Sequence, residues 1–205
     1  MAVVTHPVEQ YEPPEGALSR GLMGMYIFIA SEIMFFGTLF ATYYYLFGSN
    51  GTWPPQGFEL VNYAPVPLIN TVLLVSSSGT FMLGERAILE GNRGRFVMWL
   101  VITILLGAGF EAGQAFEFWK AGVFRNYHAT TFASAFFTMT GFHGGHVLGG
   151  LVLIAILVWR AARFGQFSPL HHVGVRAVGI YWHFVDAVWL FLLTNLYIVP
   201  NLFLK

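Results

Sequence analysis

Eight polar side chains interrupt apolar runs in this chain, and they are the ones whose types could do chemistry. Glu32 stands in SEIMFF; Glu111 and Gln114 stand in GFEAGQAFEFW, with Glu117 toward the end of the same run. His143 and His146 fall in TGFHGGHVLGG, and His183 and Asp186 in YWHFVDAVWLF. A charge at the centre of a bilayer costs at least about 2.5–3.5 kcal/mol on insertion scales, so each such residue needs a partner or a purpose. Three chemistries compete. His143 with His146, and His183 with Asp186, are spaced i, i+3, so each pair could address one metal ion; haem needs only one or two axial histidines. Glu32, Glu111 and Asp186 could instead pass protons or ions. The third reading, adopted here, is that these groups bond one another across packed helices at around 0.6 kcal/mol each, with no catalytic residue in the chain. Neutral, hydrogen-bonded Glu–His or Glu–Tyr pairs are then the expectation. The run Ser76–Ser77–Ser78 shows no base nearby; it is expected to bond its own or a neighbouring helix's carbonyls and not to act as a nucleophile.

The elements that must carry these groups are membrane helices. Of 205 residues, 56% are hydrophobic and 10% charged, where a soluble domain holds about 25% charged. A span needs about 20 mostly apolar residues, and five runs qualify, near 21–47, 67–89, 96–119, 132–159 and 178–199. The expected fold is all-α: one five-helix transmembrane domain over 21–200, a polar tail at 1–20 and a short tail at 201–205. The opening stretch, with three Glu and three Pro, does not read as a signal peptide. Zero net charge argues against a nucleic-acid partner, and the lack of cysteine excludes disulfides and thiolate-bound metal.

Loop charge sets an orientation. Arg20, Arg86, Arg93, Arg95, Arg160, Arg163 and Arg176 fall on the N-terminal side, against Lys120, Arg125 and Lys205 on the other. The positive-inside rule then puts the N-terminus inside and the C-terminus outside. Arg20, Arg93 and Arg95, at helix ends, are expected to reach lipid phosphates. Glu32, roughly 16 Å along its helix, would sit near the midplane, protonated and bonded to His143 or His146. Gly141, Gly144, Gly145, Gly149 and Gly150 in the fourth run, and Gly107, Gly109 and Gly113 in the third, would let backbones approach closely.

SEIMFF, NTVLLVSSS, GAGFEAGQAFEFW, FFTMTGFHGGHVLGG and YWHFVDAVWLF, with WPP at Trp53–Pro55, occur in an order that resembles subunit III of cytochrome c and quinol oxidases. The resemblance covers about residues 20 to 200. It implies a non-redox core subunit of a proton-pumping haem-copper oxygen reductase, with the haems and copper held in partner subunits. It also implies direct packing on subunit I, with subunit II in the same complex, structural phospholipid, and support of proton uptake. In that family's pattern the intramembrane glutamate corresponds to Glu32 and the last-helix carboxylate to Asp186; the histidines become structural. Fuller members carry two further helices before the SEIMFF helix, so a partner or lipid is expected to fill that space here. A bacterial plasma membrane is the expected location, ahead of a mitochondrial inner membrane, and the electron donor stays open between cytochrome c and quinol. The rival readings are a free-standing membrane metalloenzyme or cytochrome built on His143, His146 and His183, and an ion carrier built on Glu32.

Overall fold

The computed structural model describes residues 19–50, 53, 65–122, 128, 130–169 and 171–200. Five long helices account for most of them: α1 (Arg20–Ser49), α2 (Pro65–Leu89), α3 (Arg93–Lys120), α4 (Thr131–Phe164) and α5 (Val173–Leu192). A π-helical turn, Leu193–Ile198, continues α5 without a break. All five are long and apolar enough to cross a bilayer, and no strand occurs among the described residues. Helices α1, α3 and α4 run past both ends expected from hydropathy. Helices α2 and α5 start earlier than expected, α2 ending at the expected Leu89 and α5 giving way to the π-turn after Leu192. Caps and polar interfacial turns extend a helix beyond its apolar run. The tails, Arg125, and most of the segment after Trp53 lie outside the described residues.

Local sequence explains the ends. Ser19, Asn92 and Thr130 are N-caps whose side chains accept the backbone N–H of Leu22, Arg95 and Ala133, each satisfying one of the orphan donors of a first turn. Between α2 and α3 the chain reverses through Gly91, at φ +74°, where a left-handed residue is needed. The N–H of Gly91 then reaches Ile88 O at 3.0 Å and that of Asn92 reaches Ala87 O at 2.8 Å. Gly165, at φ +62°, closes α4 in the same way.

Consecutive helices run antiparallel. At one end, Gly21 of α1 lies against Val173 of α5. There Arg93 Nη2, at the start of α3, donates to Ala162 O in the last turn of α4 at 2.6 Å. That cation sits where the helix dipole is negative. At the other end Trp53 packs on Phe132 and Tyr43, and the start of α4 meets the π-turn through Phe136 and Tyr197.

Helix α5 is the hub. The Trp182 indole fills a slot made by two glycines, for a Cβ at Gly150 would stand 2.6 Å from its ring and one at Gly107 3.1 Å away. One turn earlier on α5, Gly179 admits Phe81 of α2. Both indole N–H groups on α5 are satisfied by α2 hydroxyls: Trp182 donates to Ser77 Oγ at 3.0 Å and Trp189 to Thr71 Oγ1 at 2.9 Å. In lipid there is little hydrophobic drive between helices, so close packing and such bonds hold the bundle.

Candidate functional site

The polar residues gather into separate latches, each across one helix seam. In the first, Glu32 of α1 meets His146 of α4, Oε2 to Nε2, at 2.9 Å. The other ring nitrogen, Nδ1, lies 2.7 Å from Phe142 O. A carbonyl only accepts, so Nδ1 carries the proton. In a neutral ring Nε2 is then an acceptor, and Glu32 must supply the hydrogen as a carboxylic acid; the alternative is a carboxylate–imidazolium pair. The Tyr181 hydroxyl adds a third helix by donating to His146 O at 2.8 Å. Of the two candidate partners for Glu32, His146 is the one the fold selects.

His143 is three residues away yet addresses a different seam. Residues so spaced lie about 60° apart round a helix, enough to put one against α1 and the other inside. His143 is fully buried, stacked on Trp189 at 5.2 Å between centroids and meeting Phe110 edge-on at 5.6 Å. The i, i+3 pair therefore does not converge on one point.

The second pair does converge, on a residue discounted from sequence. Ser78 of α2 donates through Oγ to Asp186 Oδ2 and lies 2.9 Å from His183 Nδ1. The expectation that no base stands near this serine is thereby corrected: i, i+3 spacing on α5 presents His183 and Asp186 side by side, and α2 brings the hydroxyl between them. The order is nevertheless wrong for a nucleophile. The serine proton is spent on the carboxyl group, so His183 must donate to Oγ, whereas an activating histidine must accept from it.

Glu111 of α3 lies over Gly144 of α4, both its oxygens 3.6 Å from where a Cβ would be, and its buried Oε1 has no hydrogen-bond partner among the described residues. Glu117, one of the polar residues of the third run, accepts from the Tyr197 hydroxyl at 3.1 Å. One latch is absent from the sequence reading altogether. Tyr43 and Tyr44 of α1 donate to the backbone and side-chain oxygens of Asn195, and Trp53 Nε1 donates to Tyr43 at 3.1 Å. Asn195 belongs to the π-turn, whose altered register accompanies this extra bonding at its carbonyl. Its only sequence signal is a lone Asn in the apolar run LFLLTNLYIV.

Among the described residues no three His, Asp or Glu side chains come together as a metal-binding group. His146, His143 and His183 face α1, an aromatic sandwich and α2 respectively. The three imidazoles therefore do not converge on one point. Of the arginines expected at lipid, Arg93 is engaged with the end of α4 and Arg95 lies 3.4 Å from Glu90; Arg20 is exposed.

Comparison with known proteins gives the arrangement its context. The family model for cytochrome c oxidase subunit III matches residues 15–200. A cytochrome c oxidase subunit 3 of Thermostichus vulcanus is 41% identical over 180 residues, covering 88% of each chain. Those of Gallus gallus and Damaliscus lunatus are 39% and 38% identical over 186 and 187 residues, covering 88% of this chain and 70% of theirs. Five apolar helices in this order, carrying these motifs and matched along nearly their whole length, place the chain in the cytochrome c oxidase subunit III family.

Proposed function

We propose that this chain is a non-redox subunit of a haem-copper oxygen reductase, that it stabilises subunit I, and that it binds lipid near the proton entrance of that subunit. Membership of the family makes it a subunit of an oxidase complex. The observation that carries the finer reading is how the intramembrane polar groups are spent: Glu32 on His146, Asp186 and His183 on Ser78, Glu117 on Tyr197. Groups committed to one another across seams hold a scaffold in shape. The electron carriers then belong to the partner chains, and the reaction of the complex, four-electron reduction of oxygen coupled to proton translocation, proceeds in them.

The broad apolar surface of α1, with Met23, Ile27, Ile33 and Met34 exposed, faces lipid or a neighbouring subunit. Arg20, Arg93 and Arg95 share the end of the bundle from which lipid phosphates would be reached, and Arg93 has donors beyond the one spent on Ala162. This arginine-rich end is the cytoplasmic one in a bacterial plasma membrane, subunit I is the direct partner, and subunit II completes the core.

Affinity purification of a tagged chain from its own membrane tests the assignment. Haem and copper should arrive with co-purifying chains, and mild dissociation should leave this chain without a Soret band. A Soret band or stoichiometric copper that stays with the isolated chain would overturn it. Orientation is read separately from Asn92→Cys: an impermeant thiol reagent should label it in broken but not in intact cells.

A further inference from the structure

We infer that Asn70, Gln114, Glu117 and Tyr197 bound a buried hydration site, whose ligand is ordered water joining α2, α3 and the π-turn. Asn70, Gln114 and Glu117 are 2%, 4% and 3% exposed, so bulk solvent does not reach them. Yet among the described residues Asn70 Nδ2, both Gln114 side-chain atoms and Glu117 Oε1 make no hydrogen bond of good geometry, although Gln114 lies against the Tyr197 hydroxyl. The four groups are neighbours. Gln114 and Glu117 are one turn apart on the buried face of α3, the Tyr197 hydroxyl donates to Glu117 Oε2, and the Asn70 amide lies where a Cβ on Gly113, next to Gln114, would be.

The mixture of atoms identifies the ligand. Asn70 Nδ2 and Gln114 Nε2 are donors that need an acceptor, whereas Gln114 Oε1 is an acceptor that needs a donor. A cation serves only acceptors, and an anion only donors. Water is both, and buried water typically makes about three such bonds. Even with one Gln114 atom drawn toward the Tyr197 hydroxyl, its other atom, Asn70 Nδ2 and Glu117 Oε1 still call for both a donor and an acceptor, whichever way the amide is turned. Leaving several groups unpaired in a bilayer would be expensive. Glu111 Oε1 and Asp186 Oδ1 are lone acceptors. The two ring nitrogens of His143, unpartnered among the described residues, belong to a single side chain enclosed by the Phe110 and Trp189 rings. None of these groups gathers donors and acceptors from several helices.

The test is a structure of the intact oxidase, with this chain in place, at a resolution that shows water. Density within hydrogen-bond distance of at least two of Asn70 Nδ2, Gln114 Nε2, Gln114 Oε1 and Glu117 Oε1 is expected. Gln114→Leu, of similar volume, should lose that density or halve its occupancy while the subunit stays in the complex. If the variant fails to assemble, the wild-type map alone decides. Direct side-chain pairing with no density between, or a metal-like peak ringed by oxygens alone, overturns the inference.

Discussion

Helices α1 and α5 run in the same direction through the bundle, yet they are held by opposite means. In its most apolar stretch, 56% of α5 is buried, against 11% of α1. α5 is held by shape: Trp182 is pressed between Gly107 and Gly150, Phe81 against Gly179, and both indoles are pinned to α2 hydroxyls. α1 lies at the edge and relies on a few directional bonds, Glu32 to His146 at mid-helix and Tyr43 with Tyr44 to Asn195 near one end. A membrane bundle can therefore fix a central helix by fitting large side chains to missing ones. A peripheral helix, which has lipid for a neighbour on most sides, must be tied by polar groups that lipid cannot satisfy.

Filling the slot in α4 should do the most damage. Gly150→Val places carbon into the Trp182 ring and should cost about 3 kcal/mol, read as loss of the chain from purified complex or a lower temperature of subunit dissociation. Gly145, on the same helix, has open space where a Cβ would go, so Gly145→Ala should be neutral within about 1 kcal/mol. Equal effects of the two would mean that shape does not hold α5.

Cutting the tie on α1 comes next. Glu32→Ala strands His146 Nε2 and should cost about 1–3 kcal/mol, whereas Glu32→Gln retains a donor for that nitrogen and should keep both retention and proton pumping. Normal retention with lost pumping in the Gln variant would show that Glu32 relays protons and is not a latch. A double-mutant cycle of Glu32→Gln with His146→Leu tells the acid–imidazole bond from an ion pair, since the ion pair would already lose most of its coupling in the Gln single variant.

Tyr43→Phe removes one bond to the π-turn and leaves Trp53 Nε1 without its acceptor, so about 1 kcal/mol is expected, measured as easier release of α1 by limited proteolysis. The smallest effect should follow Arg93→Met. The last turn of α4 loses a charge-assisted bond worth about 0.3–1 kcal/mol, seen as faster hydrogen exchange around Ala162. Unchanged exchange there would assign Arg93 to lipid alone.

Much of this was legible in the residues. Five spans, the spacing of their glycines and the depth of Glu32 follow from apolar length and the helical rise, both properties of a chain read in order. The cap residues Ser19, Asn92 and Thr130 extended helices beyond the hydropathy limits because a cap acts through one or two bonds and leaves no apolar trace.

What the sequence determined is which groups must find partners, since a buried carboxyl or imidazole in a bilayer is costly alone wherever it stands. Which partners they find was decided by the tertiary structure. His143 and His146 have the same residue type and nearly the same depth, yet the packing of α4 sends His146 to Glu32 and His143 between Phe110 and Trp189. There ring contacts stand in place of the hydrogen bond expected of His143, and neither of its ring nitrogens is bonded among the described residues. Ser78 had no base within reach along its own helix, and only the seating of α2 against α5 set it between His183 and Asp186. Helical periodicity assigns a side chain to a face. The neighbour on that face is fixed by helix rotation and crossing, which depend on every side chain in the seam at once.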